Sequence, residues 1–430
     1  MNGDCLFHLN PGILEALTPL KDTMHYDIII IGMGLSGLMA AKTAAEAGRK
    51  VLIIGRGTGS LCLFSNTIDL LGDLPKASDK GNALSRWITD HPQHPYSKAG
   101  RAAIDEAFAS FLSLFPPPYS FESIGGENCL ILTGAGTFRP TRLVPSTMVA
   151  ATSSWQVRTL VVGFEGLKDF YAHYVAAGLG CQGITLPLPE TRNQEITAAL
   201  LSRFMEQDSF RENIAREIRK HINGEDRVGF PAVLGLNDPM LVKKDLENKL
   251  GAEVFEIPSL PPSMPGRRIF NRFRTWLIQR GATFLMGQSV TKVSLKGRLC
   301  EGVYVFHSPV STFYSGDRVI LATGRFMGGG LVAEKERIIE PIFNLPVIQP
   351  ESREDWFMRR LYEAHPIHYA GIETNASFRP VDETGTVSIE NAWVAGTILA
   401  HHNAIEEKSR EGIELVTGYL AAKNALGAYG

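Results

Sequence analysis

An α/β fold with a parallel sheet, interrupted by an inserted α+β region, is what this sequence predicts. Three observations predict it. An aliphatic run near the N-terminus leads through a glycine-rich turn into a small-residue helix and a second aliphatic run. Two further strand-and-turn pieces lie far downstream, and a long stretch broken by prolines separates the two halves.

The first run, Ile28 to Ile31, is aliphatic and β-branched, as suits a parallel strand covered on both faces. Gly32, Gly34 and Gly37 follow as G-x-G-x-x-G. The first glycine permits a tight turn, the second lets a pyrophosphate approach the backbone, and the third lets helix pack on strand. Leu35 to Ala47 is rich in Ala and Leu and predicts a helix, so the free N–H groups of its start, around Leu35 and Ser36, face the phosphates. Gly48 ends that helix, and Lys50 to Ile54 completes a βαβ unit of about 30 residues. Strand, motif, helix and strand in this register predict a Rossmann-like domain that binds a dinucleotide or a flavin. An acidic residue roughly 20 positions on normally accepts hydrogen bonds from the adenosine ribose. Gly55 and Arg56 stand there instead. Arg56 suits a 2′-phosphate, another phosphate group or solvent, so the sequence predicts a phosphate cradle without a carboxylate for the ribose.

Arg56 to Pro75 is rich in small and hydroxylated residues. It predicts a loop along the cofactor, with Gly57 and Ser65 as contacts. Farther on, a strand from Arg318 to Ala322 runs into Thr323-Gly324, and Ile389 to Ala400 carries a strand that ends at Gly396-Thr397. Small residues at both turns let the backbone pass close to a ligand. A helix is predicted over Glu411 to Leu426. Residues 1–23 read as an N-terminal extension, 24–80 and 262–430 as the two parts of the flavin-binding domain, and 81–261 as an inserted substrate or cap region. The second part carries a small excursion at about 331–375. Within the insertion, "TLVVGF" and "RVGFPAVLGL" read as strands and "EITAALLSRFMEQDSFRENIAREIRKHI" as helical.

Composition narrows the function. The 430 residues carry a formal net charge of −2, which gives no electrostatic case for nucleic acid or for broad adhesion to anionic lipid. No window approaches the length of apolar sequence that spans a bilayer, and the first residues lack the basic start and apolar core of a secretory signal. Five scattered cysteines without C-x-x-C spacing fit a reducing compartment and predict no iron–sulfur cluster or metal site in this chain. Cys62 lies beside the predicted cofactor loop, where a buried thiol and a redox-active one both fit.

The order of G-x-G-x-x-G, V-I-L-A-T-G and N-A-W-V-A-G resembles the flavoproteins with two dinucleotide-binding domains. Within them the chain resembles the B-subunit family of anaerobic glycerol-3-phosphate dehydrogenases. The pieces that carry the resemblance include "GMGLSGLMAA", "SNTIDLLGDLP", "LVVGFEGLKDFYAHYVAAGL", "PSLPPSMPG", "ATGRFMGGGLVAE", "EPIFNLPV" and "ASFRPVDETGTVSIENAWVAGTIL", and they span nearly the whole chain from Met24. The resemblance implies a flavin subunit, with FMN favoured by the missing acid and FAD as the alternative. It implies a second flavoprotein subunit as partner in oxidising the small molecule sn-glycerol 3-phosphate to dihydroxyacetone phosphate. Electrons would pass to quinone through a membrane-associated iron–sulfur subunit, which places the chain in the cytoplasm, held at the inner face of the membrane by a partner. A stand-alone flavin oxidoreductase of the fumarate-reductase or ketosteroid-dehydrogenase kind, and a scaffold that has lost its flavin, are the other readings.

Oxidising a secondary alcohol needs a base, and His401 and His402, just beyond the Gly396 turn, are the candidates by position. A phosphorylated substrate or flavin phosphate needs cations, for which Arg267, Arg268, Arg325 and Arg379 are candidates. One stretch departs from the family. His401 to Gly418 carries charge at Glu406, Glu407 and Lys408, where a helix start packed on a flavin needs small residues.

Overall fold

The structure of the protein, a computed structural model, describes residues 24–72, 83–124, 128–152, 157–188, 195–307 and 310–427, so the predicted extension 1–23 lies outside it. In chain order the framework is β1 (His25–Ile31), α1 (Leu35–Glu46) and β2 (Val51–Gly55), followed by four strands of a second sheet. These are β3 (Thr159–Phe164), β4 (Gln182–Leu186), β5 (Arg227–Pro231) and β6 (Glu253–Ile257). The chain then returns through α2 (Met264–Ile278), β7 (Thr283–Met286), β8 (Val290–Lys296), β9 (Leu299–His307), β10 (Val310–Leu321), β11 (Ala392–Val394) and α3 (Arg410–Gly427).

The main sheet runs β7-β2-β1-β10-β9-β8, with β11 also paired to β10. Its heart is parallel: Ile28 faces Val51 on β2 and Arg318 on β10. Ile28, Ile29 and Ile30 have no exposed surface, which is why the strand reads as continuous aliphatic sequence rather than an alternating one. The long strand β10 changes role along its length. Its first half pairs antiparallel with β9 and its second half parallel with β1 and β11, and that second half delivers the Thr323-Gly324 turn to the same edge as the Gly32 turn.

The inserted region builds its own core around a parallel sheet of order β6-β5-β3-β4. Helices between successive strands, among them Ala172–Leu179 and Pro239–Leu250, make the crossovers that parallel pairing requires. An antiparallel hairpin, Cys129–Leu132 with Phe138–Thr141, adds to it. The two cores part at a different point from the predicted boundary. Helices Ala83–Asp90 and Arg101–Leu112 bury Leu84, Ile104 and Phe111 in the same cluster as β1, and Phe111 packs on Phe121 and Phe273. An amphipathic pattern shows that a helix has a core face, but not which of two cores receives it. The excursion after β10 contains two short antiparallel ladders, Val332–Ala333 with Ile338–Ile339 and Val347–Ile348 with Gly371–Ile372.

Candidate functional site

A cavity of about 700 Å³ opens along the carboxyl ends of β1, β2 and β10. The three motif glycines shape it in different ways. Gly32 has φ +122°, and a Cβ there would fall 2.1 Å from the Ala322 carbonyl oxygen; a Cβ on Gly37 would fall 2.0 Å from that of Gly32. These two glycines let β1, β10 and α1 converge. Gly34 has nothing within 4 Å of where a Cβ would stand. It is the N-cap of α1 in extended conformation, makes no side-chain cap, and no acidic residue occupies the first turn. The cradle is therefore an open, electropositive helix start at which a phosphate fits.

The missing acid has a steric cause. A Cβ on Gly55 would meet Met33 Cγ at 2.8 Å, and Met33 is itself 2% exposed. The side chain between the first two glycines fills the place where a ribose-binding carboxylate would begin. Arg56 is not its substitute: its Nε donates to Ser289 Oγ at 2.9 Å at the cavity mouth. The cavity continues past Gly57 to Gln288, Ser289 and Val290, which follow β7.

Of the residues predicted as cofactor contacts, Gly32, Gly34, Ser36, Arg56, Gly57, Thr323, Gly324 and Thr397 line the cavity. Leu35, Gly37, Gly396 and Ser65 do not line it. A Cβ on Gly396 would collide with Ser36 Oγ at 2.4 Å, and Gly396 N donates to Thr417 Oγ1 at 2.8 Å, so this glycine brings the β11 turn onto α1. Ser65 accepts from Arg139 Nη1 at 3.1 Å.

Of Arg267, Arg268, Arg325 and Arg379, the structure brings only Arg325 to the cavity. Its guanidinium donates to the carbonyls of His368, Leu399 and His402, and burial pushes its pKa down to about 10. Arg268 is corrected to a structural role. Its Nη1 and Nη2 grip Glu256 at 2.6 and 2.7 Å, and its Nε donates to Gly235 O at 2.8 Å, so it is turned away from any substrate. This pair joins α2 to β6 and thus one core to the other. Arg379 lies over the Trp393 ring at 5.2 Å, and Arg267 is exposed away from the cavity.

The two predicted bases are also displaced. His402 has no exposed surface, its Nδ1 lies 3.4 Å from Arg325 Nη2, and burial together with Arg325 and His94 drives its pKa well below the ordinary value. His401 turns away with φ +64°, and its Nε2 meets Glu373 Oε2. Burial opposes ionisation of Glu373, but hydrogen bonds from His401 and Lys98 hold its pKa at about 2. Neither histidine lines the cavity. The histidine that does is His368, half-buried beside Arg325, with its pKa lowered by burial and by His365 and Arg325. It belongs to the excursion after β10 and carries no motif, so the sequence offered no signal for it.

The charged stretch before α3 proves to be a loop. Glu407 accepts from His94 Nε2 at 3.2 Å, Ser409 Oγ at 2.9 Å and Asn403 N at 2.8 Å, while Lys408 takes a left-handed φ of +51°. The Glu407 carboxylate joins a polar network behind the site, and α3 itself starts at Arg410. Small residues are retained where the helix crosses α1: a Cβ on Gly418 would fall 2.3 Å from the Ser36 carbonyl oxygen. Arg410 and Glu414 of α3 line the cavity, and nothing in the sequence pattern singled out Glu414.

Residues 27–409 match the model of a family described as "FAD binding domain", so fold and cradle define a flavin oxidoreductase. The more particular family follows from curated relatives. The B-subunit of a probable anaerobic glycerol-3-phosphate dehydrogenase of Halobacterium salinarum is 31% identical over 419 residues, covering 93% of this chain and 97% of the relative. The B-subunit of the anaerobic glycerol-3-phosphate dehydrogenase of Pectobacterium atrosepticum is 29% identical over 94% of this chain and 99% of the relative. The chain belongs to this B-subunit family of anaerobic glycerol-3-phosphate dehydrogenases. Solved structures similar to it include a 3-ketosteroid delta1-dehydrogenase from Sterolibacterium denitrificans, with 9% identity, TM-score 0.42 and coverage of 94% of this chain and 100% of that one. A flavocytochrome c3 fumarate reductase has 10% identity, TM-score 0.43 and coverage of 94% and 78%. The cofactor class is thus a flavin, and the expected preference for FMN finds no support, because the matched family model is one for FAD. Among the described residues no helix is long and apolar enough to cross a membrane.

Proposed function

We propose that the chain holds FAD in this cavity as one subunit of an anaerobic sn-glycerol-3-phosphate dehydrogenase, oxidising the substrate to dihydroxyacetone phosphate and handing electrons to partner subunits and so to quinone. The observation that carries the reading is the continuity of the cavity. Its lining takes in the phosphate cradle at Gly34, Arg325 and His368, and Gln288–Val290. Gln288–Val290 follow β7, which pairs with β2 as far as Gly55, the strand end at which an adenosine ribose is normally held, and this supports FAD over FMN.

The residues divide by role. Gly34, Ser36 and Gly57 receive the pyrophosphate, with Arg56 at the mouth. A bound flavin supplies the hydride-accepting chemistry. His368 is the proposed base for the hydroxyl proton: burial keeps it neutral at pH 7, with a free pair on the imidazole to accept it. Arg325 has no carboxylate partner within salt-bridge distance among the described residues, Glu407 acting on it only from farther away, and its positive charge attracts the substrate's phosphate. The partners that fit are a second flavoprotein subunit and an iron–sulfur subunit at the inner face of the membrane, with this chain in the cytoplasm. Anaerobic addition of sn-glycerol 3-phosphate to the flavin-loaded chain, alone and with its partner subunits, tests the reading. Loss of the oxidised flavin absorbance is expected, and a spectrum unchanged in both preparations would refute it.

A further inference from the structure

Glu414 is a carboxyl in an unexpected place. It lines the cavity, is 6% exposed, and its Oε1 accepts from Ser60 Oγ at 3.3 Å. Ser60 belongs to the turn Gly59–Cys62, and that turn is seated on the phosphate cradle: a Cβ on Gly59 would fall 2.7 Å from the Gly34 Cα. On α3, Glu414 stands one turn before Gly418, the residue packed on the Ser36 backbone. Two independent contacts therefore place this carboxyl beside the α1 start that receives the pyrophosphate. A carboxylate there would face a second anion in a site of low dielectric, where like charges repel strongly.

We infer that Glu414 must hold a proton for a phosphate-bearing flavin to enter, so that flavin loading of this chain is coupled to the uptake of one proton. The inference rests on the proposed flavin site. Burial pushes the Glu414 pKa up to about 7, with Arg410 opposing and Glu411 adding to the shift, so the free chain exchanges this proton near neutrality. The other charged groups around it do not replace it. Arg410 is paired with Glu411 on the same helix, and Arg139 with Asp69 behind them. Cys62 lies in the facing turn with its Sγ 3.2 Å from Thr58 Oγ1, and α1 presents no acidic residue in its first turn. Arg56, Arg325 and His368 also line the cavity, but the charges that act on Glu414 are those of Arg410 and Glu411. Burial lowers the His368 pKa, which puts its protonation on the acid side of the window that matters here.

An acid with a raised pKa is neutral below pH 7 and charged above it, so affinity for flavin is highest on the acid side and falls as pH rises. The test uses full-length chain stripped of flavin and titrated with FAD, and separately with FMN, by quenching of flavin fluorescence between pH 6 and 9. The dissociation constant for FAD should rise about tenfold per pH unit above pH 8, the slope for one linked proton. Glu414→Gln should bind with little dependence on pH. Calorimetry on the wild type in buffers of different ionisation enthalpy needs no variant, and should count about one proton taken up per flavin at pH 8. A flat wild-type profile, or a Glu414→Gln profile parallel to it, would overturn the inference while the flavin assignment stood. Failure of the wild type to bind either flavin at any pH would instead overturn the site on which it rests.

Discussion

Replacing Arg268 by Met separates a structural arginine from a substrate-binding one. Glu256 has no exposed surface and accepts from both terminal nitrogens of Arg268, from Thr147 Oγ1 at 2.6 Å and from Leu234 N at 2.8 Å. Met keeps most of the packing under Tyr119, whose ring lies 5.6 Å from the guanidinium carbon, but leaves the carboxylate buried without its counter-ion. Loss of one partner of a buried ion pair costs about 3–5 kcal/mol. That is a large part of the roughly 5–15 kcal/mol by which a folded protein exceeds its unfolded state. Because the pair links α2 to β6, the loss should fall on the docking of the two cores. Urea unfolding followed by tryptophan fluorescence and far-UV circular dichroism should show a markedly lower midpoint. Adding Glu256→Gln in the same chain removes the orphaned charge and should recover about 0.5–3 kcal/mol of it. An Arg268→Met protein with the wild-type midpoint but a raised KM for glycerol 3-phosphate would refute the reasoning and return Arg268 to the substrate site.

Three further outcomes follow from the site. Gly34→Val keeps an extended backbone and its Cβ meets no neighbour, so the chain should fold with its wild-type circular dichroism spectrum and lose bound flavin; full flavin content would refute the cradle. His368→Gln should lower kcat by about 10²–10⁴-fold with flavin retained, while His401→Gln, which only breaks a contact to Glu373, should not; the reverse pattern would restore the base predicted by position. Cofactor released by denaturation and separated by chromatography should be FAD, and recovery of FMN alone would leave the arm of the cavity at Gln288–Val290 without a role.

The chain's local chemistry determined the first βαβ unit and the cradle. A run of isoleucines has one stable use in a doubly covered sheet, and G-x-G-x-x-G fixes a turn within a few residues, so strand, turn and helix were all legible. The later turns at Thr323-Gly324 and Gly396-Thr397 were legible for the same reason, and β10 and β11 carry them to the edge where the first turn lies. Side chains whose role depends on contacts far away in the chain were not. Arg268 and Arg325 are the same residue type, yet one lies 12 positions from the carboxylate that neutralises it and the other is held by carbonyls 43 to 77 positions away. His401 and His402 follow the right turn but leave it facing Glu373 and the interior, while His368 reaches the cavity from an excursion without a motif. The absent ribose acid reads from the sequence as a missing function. Only the packing of Met33 against Gly55 shows that the space is occupied, because no local rule says which side chain a strand end will meet once the sheet has closed.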